Sequence, residues 1–302
     1  MKSSEVLSSP WSDICNQIQT FARDFTLLHL QAIGGGCIND CYHIRGSHQA
    51  YFVKLNDAGF LPFFEAEAAG LMEIHNSQTI RVPQPLCYGC NTNHAWLVLE
   101  YIELGHTKKK NNYQLLGENL AAMHRHSAEQ FGWFRDNAIG ATPQKNQLSS
   151  NWIDFWRHQR LGYQLQLAKQ KGYGGKLQSL GENLLTHFSL FFSNRSITPA
   201  LLHGDLWGGN YAFDQAGHPI IYDPAVYYGD READLAMTEL FGGFPSEFYA
   251  AYQAAYPLDS GYNTRKILYN LYHILNHLNL FGGGYLPQAE QMQSKLLAEL
   301  RS

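Results

Sequence analysis

The stretch His203-Gly204-Asp205-Leu206-Trp207-Gly208-Gly209-Asn210 decides the predicted fold, and it follows an apolar run that is typical of a strand. Asp223 lies thirteen residues after Asn210, behind a second apolar run at residues 219–222. This spacing matches a pattern used in phosphoryl transfer, in which an Asp is followed five residues later by an Asn and then, after a strand, by a second Asp. Asp205 is therefore the candidate base, and Asn210 and Asp223 are candidate oxygen ligands for Mg²⁺. The alternative is that both carboxylates only complete turns at strand ends.

Lys54 lies upstream, in a predicted strand at residues 49–55 that is rich in β-forming residues. A charged side chain on an apolar strand is costly unless it is paired. Glu67 is the natural partner, because it lies on the next predicted element, a helix at residues 63–74. Glu65 is two positions away and points elsewhere on that helix. Lys54 is thus a candidate phosphate contact, and the alternative is a surface lysine on an edge strand.

Two further segments could complete a nucleotide site. A glycine run lies between two strand-like segments, where backbone N–H groups could approach phosphates, although such runs also mark ordinary turns. A predicted strand at residues 95–102 ends where the chain leaves the strand-rich region, and backbone groups there could pair with adenine. The candidate contacts in these segments are Gly34, Gly35, Gly36, Glu100, Tyr101 and Ile102.

The predicted elements divide the chain into two parts. Residues 1–103 contain most of the strands and one helix, and we call them the N-lobe. Residues 104–302 form the C-lobe, in which helical patterns dominate and two short strands flank the motif residues. The predicted C-lobe helices are residues 113–126, 152–171, 176–193, 267–281 and 288–300. The expected fold class is α+β, with a small β-rich lobe and a larger helical lobe.

The composition of the 302-residue chain excludes several classes of protein. Hydrophobic residues make up 45% of the chain and charged residues 16%, so a large core can form. A formal net charge of −4 without a long basic run argues against nucleic-acid binding. The stretch 205–234 alone carries a net charge of −5, which leaves +1 for the remainder. No apolar run reaches membrane-spanning length and no signal-peptide core is present, which predicts a cytoplasmic protein without a membrane partner.

The cysteines are expected to be free thiols, because their number is odd and no secretion signal is present. The five residues are Cys15, Cys37, Cys41, Cys87 and Cys90. The C-x-x-C spacing of Cys87 and Cys90 leaves open a zinc site completed by Cys37 and Cys41. The alternative is that this segment forms a strand leading into a turn.

The sequence resembles the fructosamine kinase (ketosamine-3-kinase) family over nearly its whole length. The most specific matches are Trp207 in the 203–210 motif, Asp223-Pro224-Ala225, and the run Y-G-D-R-E-A-D-L-A-M at residues 228–237. The H-G-D core is shared more widely, with aminoglycoside and choline phosphotransferases. Further matches are residues 52–54, 66–68, 98–101, 142–144, 161–165 and 275–282.

The resemblance implies a bilobal protein-kinase-like fold and the use of ATP with Mg²⁺. It also implies phosphorylation of the 3-hydroxyl of ketoamines, which are sugar adducts of amines such as lysine side chains. The 3-phosphate is unstable and releases the amine, so the implied role is deglycation repair. Ribulosamine, erythrulosamine and fructosamine adducts are the expected substrates, and both glycated proteins and free adducts alone stay open as their form.

Several residues near the motif have both a substrate and a structural interpretation. Trp207 could stack on a sugar face, or it could pack beneath its own loop. Asp230, Glu232 and Asp234 could attract the cationic amine of an adduct, or they could cap and brace the next helix. Bracing is the favoured interpretation for Asp234, although a substrate contact remains open. His203 is expected to hydrogen-bond and brace the loop.

Cys37 lies inside the predicted phosphate loop, where the resembled family includes members with a redox-active cysteine. Backbone N–H groups could acidify this thiol, so its oxidation to a redox-linked dimer is one hypothesis. A small residue in a turn is the alternative. Two other functions also remain open: a phosphotransferase for another small alcohol (an aminoglycoside, choline or homoserine), and a non-catalytic nucleotide or redox sensor.

Overall fold

The computed structural model describes residues 9–34, 38–105, 109–193 and 195–300. The N-lobe contains an antiparallel sheet and two helices. In chain order these elements are α1 (Trp11–Ile18), β1 (His29–Ile33), β2 (Asp40–Arg45), β3 (Ala50–Asp57), α2 (Leu61–Asn76), β4 (Pro85–Cys90) and β5 (His94–Glu100). The strands lie in the order β1-β2-β3-β5-β4, which places β3 at the centre of the sheet.

The two faces of this sheet pack against different helices. Val53 and Val98 lie in a cluster with Ile14 of α1, whereas Leu97 belongs to the larger core that includes Leu71 of α2. Successive side chains of a strand point to opposite faces. Lys54, next to Val53, therefore lies on the α2 side, which we call the cleft face.

The C-lobe is mainly helical. Its helices are α3 (Lys110–Met123), α4 (Trp152–Trp156), α5 (Gly162–Gln170), α6 (Lys176–Thr186), α7 (Glu232–Leu240), α8 (Ser246–Ala255), α9 (Tyr262–Phe281) and α10 (Leu286–Glu299). Its strands form antiparallel pairs: β6 (Asn137–Ile139) with β7 (Thr142–Gln144), β8 (Ala200–Leu202) with β11 (Tyr227–Gly229), and β9 (Tyr211–Phe213) with β10 (Pro219–Ile221). Within the described part of the chain, no helix is long and apolar enough to cross a membrane.

Helix α2 is fixed to the C-lobe as well as to the sheet. The hydroxyl of Tyr228 on β11 donates a hydrogen bond to Glu73 Oε1 at 2.7 Å. Gly70 approaches the C-lobe closely, since a Cβ atom built there would lie 3.1 Å from Val226 Cγ2. Glu65 forms an ion pair with Arg135 at 3.2 Å. These contacts span most of α2, so its position is set from both lobes.

The α+β fold class is confirmed, with differences in detail. A π-helical segment, Arg157–Leu161, interrupts the predicted helix 152–171 and coincides with the fully buried guanidinium of Arg160. The predicted helix 176–193 ends at Thr186 and continues as a 3₁₀ segment, Phe188–Phe192. Because a 3₁₀ helix has three residues per turn, it places the buried side chains of Phe188 and Phe191 on the same side, which explains why this segment winds more tightly than an α-helix. Helices α1 and α8 were not predicted.

The predicted lobe boundary at 103/104 lies between β5 and α3. The N–H of Gly105 donates a hydrogen bond to the carbonyl of Phe213 on β9 at 2.8 Å. The chain has therefore joined the C-lobe by residue 105. This contact supports the boundary, which we retain as a proposal.

We predict that Gly70→Leu lowers the free energy of unfolding by about 1–3 kcal/mol, the usual cost of overpacking a tight contact. Gly59→Leu is the matched control, because Gly59 is exposed and an added Cβ there meets nothing within 4 Å. Urea and thermal unfolding of both variants would measure the difference. Equal stability of the two variants would contradict close packing of α2 on the C-lobe.

Candidate active site

The loop that carries Asp205 joins β8 to β9, and Asn210 is its last residue. Asn210 Nδ2 donates hydrogen bonds to the backbone oxygen of Asp205 at 2.9 Å and to Asp205 Oδ2 at 3.3 Å. The candidate base and a candidate metal ligand therefore lie side by side. Burial raises the pKa of Asp205 to about 7; the nearby Asp223 carboxylate adds to this rise and the Asn210 hydrogen bond opposes it.

His203 braces this loop from within the protein. Its Nδ1 accepts a hydrogen bond from the backbone N–H of Asp205 at 3.2 Å, and its Nε2 lies 2.9 Å from the carbonyl oxygen of Tyr222. The acceptor role of Nδ1 assigns the proton to Nε2. Burial lowers the pKa of His203, so the ring is neutral. Because Tyr222 directly precedes Asp223, His203 links the two loops that carry the candidate carboxylates.

Asp234 holds the same loop from the other side. It is 1% exposed on α7, and it accepts hydrogen bonds from the backbone N–H groups of His203 and Gly204 at 2.7 and 2.8 Å. Gly204 has a φ of 83°, and a Cβ atom there would lie 2.1 Å from the carbonyl oxygen of Ala225, so only glycine fits. His124 Nε2 also lies 3.2 Å from Asp234. The burial of Asp234 and its contacts with the loop backbone favour the bracing role over a substrate contact.

Asp230 and Glu232 are buried in ion pairs. Asp230 contacts Arg195, and Glu232 accepts two hydrogen bonds from Arg265 at 2.7 and 2.8 Å. Arg195 also lies 3.0 Å from Glu232, and the hydroxyl of Tyr269 donates to Asp230. These acidic side chains form ion pairs inside the C-lobe and thereby fix the start of α7. This arrangement favours bracing over attraction of a substrate amine.

Lys54 connects the two lobes at the centre of the site. It is 3% exposed, and its Nζ lies 2.5 Å from Glu67 Oε1 and 2.7 Å from Asp223 Oδ1. The interpretation of Lys54 as an edge-strand surface residue is wrong, because β3 is the central strand. Burial alone would lower the pKa of Lys54, but the carboxylates of Asp223 and Glu67 raise it above its ordinary value, so the ammonium stays charged.

The residues around Asp223 suit a magnesium ion bound together with a nucleotide. Asp223 lies two residues after β10 with a φ of 58°, and its side chain is 46% exposed. Only one carboxylate oxygen of Asp223 contacts Lys54, so its other oxygen is available. Asn210 contacts Asp205 through its amide nitrogen, which leaves its amide oxygen available as well. Mg²⁺ binds through such oxygens and phosphates. Across the described ranges, no cluster of three or more His, Cys, Asp or Glu could hold a metal.

The structure describes some of the predicted nucleotide contacts of the N-lobe and not others. Gly34 follows β1, while Gly35, Gly36 and Cys37 lie outside the described residues, so the predicted phosphate loop stays a prediction. Glu100 ends β5; its side chain pairs with Arg81 at 2.7 Å, and its backbone N–H donates to the carbonyl oxygen of Gln84 at 2.8 Å. The backbone of Ile102 makes no hydrogen bond to any described residue. Tyr101 stacks on His43 of β2, a contact that the sequence did not predict.

The cysteines within the described ranges are free thiols. Cys41 lies on β2 and Cys87 on β4, with β3 and β5 between them, so about 14 Å separates their strands. That spacing excludes a shared zinc ion. Burial raises the pKa of Cys41 to about 11 and that of Cys87 to about 12. Oxidation of Cys37 stays an untested prediction.

A row of aromatic rings extends from the Asp205 loop. Trp207 is 39% exposed, and its ring centroid lies 6.4 Å from that of Phe241 in an edge-on arrangement. Phe241 contacts His277 at 4.9 Å, and His277 contacts Phe281 and Tyr285 at 5.4 and 5.2 Å. We call Trp207, Phe241, His277, Phe281 and Tyr285 the aromatic wall. Of these residues, only Trp207 was predicted from the sequence, although His277 and Phe281 lie in the matched run 275–282.

Sequence comparisons show which known proteins this chain is similar to. A family model described as fructosamine kinase matches residues 10–299. A probable ketoamine kinase of Synechocystis sp. is 49% identical over 291 residues, which are 96% of this chain and 97% of that protein. The chloroplastic protein-ribulosamine 3-kinase of Arabidopsis thaliana is 40% identical over 288 residues, or 94% of this chain and 87% of that protein.

Solved structures are similar along the whole chain. The crystal structure of a proposed fructosamine-3-kinase from Haemophilus somnus has a TM-score of 0.87 at 28% identity, with 95% of this chain and 97% of that chain covered. An ADP-bound aminoglycoside phosphotransferase has a TM-score of 0.62 at 12% identity, with 93% and 98% covered; that likeness concerns the fold alone. The predicted kinase-like fold is confirmed. Because the family model and both relatives match nearly all of the sequence, the chain belongs to the fructosamine kinase family.

Proposed function

We propose that this chain is an ATP-dependent ketosamine-3-kinase, which phosphorylates the 3-hydroxyl of ketoamines in the repair of glycated amines. The observation that carries the proposal is the contact of Lys54 with Glu67 and Asp223, next to the paired Asp205 and Asn210. The names of its relatives, a ketoamine kinase and a protein-ribulosamine 3-kinase, support this class of acceptor.

Lys54, Glu67, Asn210 and Asp223 have distinct roles in the proposed mechanism. Lys54 binds phosphate oxygens while Glu67 fixes its ammonium group. Asn210 and Asp223 would hold Mg²⁺ through their side-chain oxygens, because Asp223 has a second oxygen besides the one that contacts Lys54. When bound, ATP would supply the transferable phosphoryl group, and Mg²⁺ would offset the negative charge of the phosphates.

Asp205 orients the acceptor hydroxyl and accepts its proton in this mechanism. Burial raises the pKa of Asp205 to about 7, with a further contribution from Asp223. A divalent cation on Asn210 and Asp223 would favour the ionised form, because it offsets the charge of Asp223. His203 and Asp234 keep the Asp205 backbone in place and do not themselves exchange protons with the substrate.

The aromatic wall is the proposed acceptor surface. Stacked rings suit the apolar face of a sugar, and a cationic secondary amine is attracted to ring faces. Attraction of the amine by Asp230, Glu232 and Asp234 is disfavoured, because these side chains are buried and paired, so aromatic contact is the proposed interaction. Gly140, at the turn between β6 and β7, approaches side chains of both lobes, because a Cβ there would lie 3.1 Å from Ile38 and from Leu280.

We predict ATP-dependent 3-phosphate formation on at least one ketoamine in a panel of ribulosamine, erythrulosamine and fructosamine derivatives of lysine. Asp205→Asn should reduce turnover about 10²- to 10⁴-fold, the usual contribution of a general base, while ADP binding is retained. Asp57→Asn is the control, because Asp57 is exposed at the end of β3. Turnover restricted to choline, an aminoglycoside or homoserine, or no turnover by folded protein that binds ADP, would contradict the proposal.

We predict that Glu67→Gln lowers kcat/KM for ATP about 10- to 100-fold, because it removes the negative charge that pairs with the buried ammonium of Lys54. Glu65→Gln is the matched control on the same helix. Glu65 pairs only with Arg135 near the surface, so its loss should have little effect. Initial-rate kinetics with varied ATP would test this, and equal losses in the two variants would contradict the role of Glu67.

We predict that Trp207→Ala raises KM for the ketoamine about 5- to 10-fold and leaves KM for ATP unchanged, because an aromatic contact to the acceptor is lost. Trp207→Phe should retain part of the affinity. Phe134→Ala serves as the control, since Phe134 is 69% exposed and lies outside the aromatic wall. An equal rise of both KM values in Trp207→Ala would point to a loop defect and against an acceptor contact.

A further inference from the structure

His43 lies on the cleft face of the sheet, one row from Lys54. The strand register pairs Cys41 with Lys54, and His43 with Phe52. Phe52 in turn pairs with Leu99 of β5. Residues two apart on a strand share a face and lie about 7 Å apart. The row of His43, Phe52 and Leu99 therefore lies about 7 Å beyond the Lys54 row, towards the end of β5.

The ring of His43 is stacked on Tyr101, the residue after β5. Their centroids are 3.8 Å apart and their planes differ by 11°, so the rings are nearly parallel. This contact extends from β2 across β3 to the chain segment that joins the lobes. Burial lowers the pKa of His43, helped by Arg45 and His29, so the ring is neutral and offers a flat uncharged surface.

Internal hydrogen bonding does not account for a histidine at this position. His43 Nε2 is buried and has no hydrogen-bond partner in the described part of the chain. An unpaired buried polar atom is unfavourable, so an apolar ring would be at least as stable here. The side chain as a whole is only half-buried, and the sheet directs it into the cleft. Its flat ring, rather than Nε2, is the feature that this position can use.

The spacing along the sheet matches the parts of a nucleotide. Lys54 is placed for the phosphates, and the ribose separates the phosphates from the base. The base is therefore expected one row further on, beside His43 and the free backbone of Ile102. We propose that the stacked pair of His43 and Tyr101 forms the surface against which the purine base binds. His43 is then a determinant of nucleotide affinity, an inference that rests on the proposed function.

The test compares ligands with and without a base. Isothermal titration calorimetry with Mg²⁺ would measure the dissociation constants of ADP and of inorganic tripolyphosphate for wild type, His43→Ala and His43→Phe. Loss of base stacking in His43→Ala should weaken ADP binding about tenfold and leave tripolyphosphate binding unchanged. His43→Phe should bind ADP as wild type does, because the flat ring is retained. His48→Ala is the control, since His48 is exposed between β2 and β3.

Three results would overturn the inference: unchanged ADP binding in His43→Ala, equal weakening of both ligands, or a loss in His43→Phe as large as in His43→Ala. Equal weakening would mean that His43 only supports the fold, and thermal melts would show the accompanying loss of stability. Absence of ADP binding by wild type would instead contradict the proposed function itself. The two failures are therefore distinguishable.

Discussion

The buried ammonium group of Lys54 is the constraint on which the rest of the site depends. An ammonium at this depth is strongly unfavourable without carboxylate partners. Its partners Glu67 and Asp223 come from α2 and from the loop after β10, while Lys54 comes from β3. All three elements must therefore pack in one arrangement before the charge is compensated. The contact that specifies how the lobes meet is thus also the contact that prepares the phosphate site.

The acidic residues of the stretch 205–234 fall into two groups, those paired inside the protein and those at the candidate site. Asp230 and Glu232 are compensated by Arg195 and Arg265, which lie outside that stretch. Asp234 is compensated by backbone N–H groups and by a histidine. Asp214 pairs with Arg81 at 3.2 Å, and Asp205 and Asp223 are the remaining carboxylates, those of the candidate site. A strongly acidic segment in the sequence therefore yields a small, defined group of negative charges at the site.

Local motifs were predictable from the sequence, and contacts between distant elements were not. The loop with Asp205 and the partnership of Lys54 with Glu67 follow from short spacings along a strand, a turn and a helix. The aromatic wall depends on how α7, α9 and α10 approach the loop, which no short pattern encodes. Helices α1 and α8 were missed because both are short and begin after a proline without a side-chain cap.

The attachment of α2 to the C-lobe has a consequence for control of the enzyme. In protein kinases, the lysine–glutamate pair forms only when the corresponding helix moves into place, and that movement is a point of regulation. Here Tyr228 and Val226 of the C-lobe contact α2, and the ion pair of Lys54 with Glu67 is formed without a partner or a modification. In this structure the helix already occupies the position in which the ion pair is formed. The nucleotide and the acceptor, rather than a movement of α2, are then what the site still needs.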